Sequence, residues 1–200
     1  MRRMIAVLGA LVMAVAVVSP AGAATGEIAS SCEVKFTTAG KPDGTFTVRG
    51  SYRLLGSLPA TSEKTAPLTA DDWGVSTRLD LDVLGPELAK RGVTRFDQGM
   101  VLAAYLSVHH NGVEDWPQKP LTDLGHDIAV AQFATGITSK IADTKVYPGD
   151  DAVPGHWRFA SYGDIWLSFH KFTDPQVYMS VHCIADAGQD LFYGETVVNP

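Results

Sequence analysis

The side chains with chemistry to offer gather between Ile165 and Cys183. One alternating stretch holds Ile165, Leu167 and Phe169, and a second holds Met179, Val181 and Cys183. At period two these residues take one face of a hairpin. Trp166, Ser168, His170, Tyr178, Ser180 and His182 take the other. A three-residue turn over 173–175, built on Asp174-Pro175, would set His170 opposite Tyr178, Ser168 opposite Ser180 and Trp166 opposite His182. A five-residue turn would pair His170 with Ser180 instead. Both registers keep the core set together, since a slip of one residue would expose it. Flat rings beside hydroxyls and imidazoles suit a sugar ring or a peptide partner. Trp166, His170, Tyr178 and His182 are therefore the candidate ligand-binding residues. Two other readings stand beside this one. In the first, the 156–160 strand, the tail or a long loop covers the face; in the second, the histidines serve catalysis.

Other reactive groups are scattered. Asp80 and Asp82 fall on one face of an alternating stretch, about 7 Å apart by the strand rise. Paired carboxylates run glycoside hydrolysis, but Arg78 on the same face also fits a solvated surface. His109-His110-Asn111 comes at a strand end, where neighbours point to opposite faces, so a solvated turn is favoured over a shared metal ion. Asp71-Asp72, Glu114-Asp115 and Asp150-Asp151 are acidic pairs in loops, read as solubilising turns or calcium ligands, without the spacing of an EF-hand. The chain has no G-x-S-x-G, H-E-x-x-H, P-loop or post-strand G-x-G-x-x-G sequence. No catalytic residue, metal site or cofactor is assigned.

The two cysteines, Cys32 and Cys183, allow one intramolecular bridge across 151 residues. In an oxidising compartment such a bridge is expected, tying the first strand to the last. Free buried thiols or metal ligation are the alternatives.

The elements that must position these residues read as strands. Cys32 to Thr37 alternates, with Cys32, Val34 and Phe36 on the core face. Lys41-Pro42-Asp43-Gly44 is a turn signal leading into a strand over Thr45 to Leu55 that makes a hairpin with the first. Ser57 to Asp72 reads as a long loop. Val75 to Leu84 alternates again, with Val75, Thr77, Leu79, Leu81 and Val83 on one side. Gly85 to Gly92 fits a short helix: Pro86 suits its first turn, Lys90-Arg91 its last, and Gly92 its stop. Thr94 to His109 is a long strand that Gly99 bulges or bends. Ile128 to Phe133 is a buried strand or a helical turn. Trp157 to Phe159, Ile165 to Phe172, Val177 to Ile184 and an edge strand over Leu191 to Val198 complete the set. An all-β fold follows: an antiparallel, immunoglobulin-like β-sandwich of about 7–9 strands, with one short helix and one disulfide. No internal repeat or interdomain linker breaks residues 24–200, which read as one domain.

Met1 to Ala23 reads as a secretory signal peptide. Arg2 and Arg3 precede the 14-residue apolar run Ile5 to Val18, and Ala21-Gly22-Ala23 offers small residues for cleavage after Ala23. The run is short for a transmembrane anchor, and Cys32 lies too far beyond it for lipidation. Cleavage removes 23 of the 200 residues, leaving 177, and takes net charge from −6 to −8 because two Arg and no acid are lost. With no basic block, a nucleic-acid partner is not expected. Charged residues at 19% and hydrophobic residues at 46% exclude a disordered chain.

The segments SSCEVKF around Cys32, 76–108 and YMSVHC over 178–183 resemble secreted actinobacterial domains of unknown function that are bracketed by a first-strand and a last-strand cysteine. The shared features are an alternating strand, a short Pro-started helix and the re-entry Gly92-Val93-Thr94. This chain departs in its extra Trp and His between 156 and 183 and in the 17 residues after Cys183. The resemblance implies an immunoglobulin-like sandwich and carries over no catalytic residue. The leading expectation is a secreted, non-enzymatic, monomeric protein of the extracellular space or cell envelope, with an interaction or structural role. Its partner would be a cell-wall glycan or another extracellular protein. A carbohydrate- or cell-wall-binding module using the Trp166 face is the alternative. A small hydrolase with an unfamiliar site near Asp80 and Asp82 or the histidines is the third.

Overall fold

In the computed structural model, residues 25–63, 68–110, 113–115, 122–141, 144–147 and 154–200 are described. The proposed signal peptide and Asp150-Asp151 lie outside them. Alternation builds the first hairpin as expected: β1 (Ile28–Thr38) buries Cys32, Val34 and Phe36 and pairs antiparallel with β2 (Lys41–Ser57). Its turn, however, is Ala39-Gly40, both at positive φ (48° and 75°), and Thr38 pairs directly with Lys41. A two-residue loop of that hand matches strand twist. Pro42-Asp43-Gly44 is instead an irregularity inside β2, where the register shifts between Lys35 and Thr37.

The expected loop over 57–72 is largely strand. β3 (Thr61–Glu63) joins β12 (Phe192–Asn199) in parallel, and β4 (Leu68–Leu79) pairs with β2, with β8 (Ile137–Ile141) and with β9 (Thr144–Tyr147). Partners that distant leave no local signal. β12 is thus flanked by β10 (Gly155–Lys171) and β3 rather than forming an edge.

The alternation from Val75 stops at Leu79, because Asp80 caps a helix. Its carboxylate accepts the Asp82 N–H at 2.8 Å and starts α1 (Leu81–Lys90). The helix is longer than the expected single turn and carries Pro86 inside rather than at its start. Leu84 and Leu88 are buried in the core, while Val83 is exposed. The predicted stop holds: Gly92 takes φ 63°, Gly92 N–H reaches Ala89 O and Val93 N–H reaches Leu88 O, the paired bonds of a Schellman ending. Arg91 lies 4.2 Å over the Phe36 ring and pairs with Asp43 and Glu87, pinning the helix end to the first hairpin.

β5 (Arg95–His110) runs along β10 (Gly155–Lys171) on one edge and along β6 (Val113–Asp115) and β7 (Thr122–Ala129) on the other. Its register to β7 shifts at Gly99, where a Cβ would fall 2.6 Å from Ile128 and 2.9 Å from Phe169. Ile128 and Ala129 end β7, and a helical turn, α2 (Gln132–Thr135), buries Phe133 against Phe96 and Phe169. The segments 157–159 and 165–172 belong to one strand, β10, whose register to β5 shifts between Ser161 and Ile165. That irregularity lets β10 pair with β12 in its first half and with β11 (Val177–Ala185) in its second.

The result is all-β, sandwich-like and antiparallel except for β3, with 12 strands and two helices among the described residues. The β2–β4 part faces the β10–β12 part across the core. Trp73 of β4 meets Tyr193 of β12 edge-on at 5.5 Å, and Tyr52 of β2 shares a 3.2 Å hydrogen bond with Ser161 of β10. The expected disulfide is formed. Cys32 stands directly opposite Cys183, so the bridge joins β1 to its neighbour β11, the next-to-last strand. It is buried beneath Gly50, where a Cβ would sit 2.8 Å from the Cys32 sulfur.

Candidate functional site

Alternation allowed two registers of β10 and β11, and the structure takes the one expected for the shorter turn. Trp166 pairs with His182, Ser168 with Ser180 and His170 with Tyr178, across a connection over 172–176. Ile165, Leu167, Phe169, Met179, Val181 and Cys183 are buried on the other side, as the period requires. The outward row therefore brings all four candidate residues together.

Trp166 and His182 stack with ring centroids 3.7 Å apart and planes 13° from parallel. His182 Nε2 donates to Asp164 Oδ2 over 3.3 Å, which holds the imidazole in place. Four residues along β10, His170 meets Tyr178 at 4.7 Å and Phe172 at 5.6 Å. Partial burial lowers the His170 pKa below the ordinary histidine value, since charge there would lose hydration. Between the two ring groups lies Ser168, 1% exposed, its hydroxyl without a hydrogen-bond partner. Asp164 Oδ1 is likewise buried and unpartnered. Trp166 itself is 39% exposed, so the ring is not covered.

Sequence reasoning missed Asp164, although two residues before Trp166 on an alternating strand is a same-face position. It also missed the outward apolar residues near the platform: Tyr162, Ile184 and Leu102, with Phe172 at the hairpin end, are all exposed. Beside His182 an open groove of about 550 Å³ is lined by Ser31, Glu33, Thr47, Ile184 and Asp186. Its charges are compensated: Glu33 pairs with Lys35 at 2.5 Å and Asp186 with Arg49 at 2.7 Å.

The other candidates fare differently. Asp80 and Asp82 do not share a strand face; one caps α1 and the other lies in its first turn, so they form no carboxylate pair for glycoside chemistry. Glu114-Asp115 and Asp71-Asp72 are not loop pairs but lie in β6 and β4, where Glu114, Asp115 and Asp71 pair with β5 and β2 while Asp72 sits at an irregularity with φ 50°. His109 is exposed, with Nε2 at 3.3 Å from Ser107 Oγ, and Asn111 lies outside the described residues. Among the described residues no three His, Cys, Asp or Glu side chains converge as a metal site, and no helix is long and apolar enough to cross a membrane. No family model matches the chain, and no curated protein or solved structure matches it either.

Proposed function

We propose that this is an exported, non-catalytic binding protein of the extracellular space or cell envelope, an immunoglobulin-like scaffold that presents the outer face of β10 and β11 to a partner. The observation that carries the reading is the open aromatic platform: Trp166 is stacked and held by His182, yet 39% exposed. A large ring fixed in orientation and left in water loses little conformational freedom on binding, which favours an interaction role. The formed Cys32–Cys183 bridge supports export to an oxidising compartment, as does the Arg2-Arg3 start and the apolar run that follows.

Two measurements test it. Mass analysis of the protein from culture supernatant should show a chain beginning at Ala24 with no free thiol; an intact Met1 start there would overturn export. Purified mature protein should bind a defined extracellular protein or wall-glycan fraction, and Trp166→Ala should lose that binding while keeping its melting temperature. Equal binding by both proteins would move the interaction off this face.

A further inference from the structure

Resting on that binding reading, the geometry points to the ligand class: we propose that the Trp166 face is a subsite for an uncharged pyranose sugar, continuing into the groove beside His182 as a seat for the next unit of a glycan. Trp166 and His182 stand opposite each other on neighbouring strands and stack at 3.7 Å. Rings on directly paired residues come that close and parallel only when both stand up from the sheet with their planes turned toward each other. His182 therefore fills one side of the indole. On the neighbouring strand β5 the register partner of Trp166 is Ala103, and a register shift there leaves exposed Leu102 unpaired beside it. With His182 on one side, Trp166 still keeps 39% of its surface exposed.

The polar groups around that face match a sugar. Asp164 and Ser168 are the outward residues on either side of Trp166, each about 7 Å away along the strand. Both carry a buried oxygen with no partner, and Ser168 is nine-tenths buried or more. Both oxygens are closed to solvent, so a ligand reaches them only as the flanking side chains shift; one with an apolar C–H face and hydroxyls around its rim would satisfy them while covering the exposed ring. Beyond His182 the groove adds Ser31, Thr47 and Glu33 for a second ring.

The charges select against ionic ligands. Glu33 is paired with Lys35, Asp186 with Arg49, and Asp164 with His182. Lys171 donates to the Thr173 and Pro175 carbonyls. No uncompensated Lys or Arg lies in the outward row from Asp164 to His170 or among its β11 partners to hold a phosphate or carboxylate, and the chain is acidic overall. A neutral ligand fits, whereas a nucleic acid does not.

The test titrates the mature, oxidised protein calorimetrically with a panel of neutral hexose and N-acetylhexosamine oligomers, with adenosine as a flat aromatic control and hyaluronan as an anionic one. The expected result is saturable binding of a neutral oligomer that changes little with salt. Trp166→Ala should weaken it roughly tenfold or more, and Trp166→Phe should keep most of it. Ser168→Ala should weaken it with no loss of melting temperature. Binding of adenosine but not sugars, or of hyaluronan alone, would overturn the ligand class and leave the face as a binding site. No binding across the sugar panel, with a protein partner still lost in Trp166→Ala, would overturn the glycan inference while the broader reading stands. A melting temperature that collapses in both Trp166→Ala and Trp166→Phe would show the ring to be structural, overturning both.

Discussion

Cys32 on β1 lies directly opposite Cys183 on β11, and the bridge between them closes 151 residues while joining two strands that are already hydrogen-bonded neighbours. Its contribution therefore falls mainly on the unfolded chain, whose freedom it restricts, rather than on the sheet, which the backbone ladder holds anyway. The expected outcome is a reduced protein with the same β-rich circular dichroism at low temperature and a lower melting point. The stability difference by urea unfolding should be no more than about 5 kcal/mol. Cys32→Ala should track the reduced protein. A reduced chain that melts with the oxidised one would refute the assignment of stability to the bridge.

Leu88 is fully buried on α1, against the same core that holds Phe36. Leu88→Asp places a charge there with no partner and should destabilise the fold by about 3 kcal/mol or more. Asp80→Ala removes only the cap bond to Asp82 N–H and should cost about 1 kcal/mol. Denaturant titrations of the two variants give the ranking. Equal effects would mean that α1 is held by its cap rather than by its apolar face.

Tyr52 is buried beneath the sheet, and burial pushes its phenol up to about 12, despite the opposing hydrogen bond to Ser161. A phenol raised above its unfolded value of about 10 favours folding fully below pH 10, and that contribution disappears as pH climbs toward 12. Tyrosinate absorbance should therefore include a late phase from Tyr52 that coincides with alkaline unfolding. Tyr52→Phe should remove that phase and flatten the loss of stability above pH 10. An early, reversible titration of all the tyrosines would contradict the burial.

His170 has the opposite sign. Its pKa is depressed by burial, so the folded protein binds that proton less readily than the unfolded chain. Its contribution is present above the unfolded histidine value, near 6.5, and is lost as pH falls below it. The His170 ring proton should titrate in NMR at a midpoint below 6.5, and His170→Phe should lessen the acid loss of melting temperature. A midpoint at or above 6.5 would show the ring to be solvated.

What the sequence determined by itself is the sidedness of its strands. Alternation is a local property of the extended backbone, so Cys32, Val34 and Phe36, or Ile165, Leu167 and Phe169, could be assigned to the core without knowing any partner. The same logic narrowed the β10–β11 register to two alternatives, and the structure chose the one in which Trp166 meets His182 and His170 meets Tyr178. Gly92 could likewise be read as the end of a helix. The tertiary structure alone decided what depends on residues far along the chain. β3 exists because Val197, Val198 and Asn199 offer it an edge. Segments 157–159 and 165–172 are one strand because β5 runs unbroken beside both. Asp80, legible only as another alternating position, became a cap because its carboxylate reached a backbone N–H that no strand partner claimed. Whether Trp166 would be covered or open was also beyond the local pattern. Exposure is settled by what packs around the ring, and the neighbouring strand presents Ala103 and an exposed, unpaired Leu102 there.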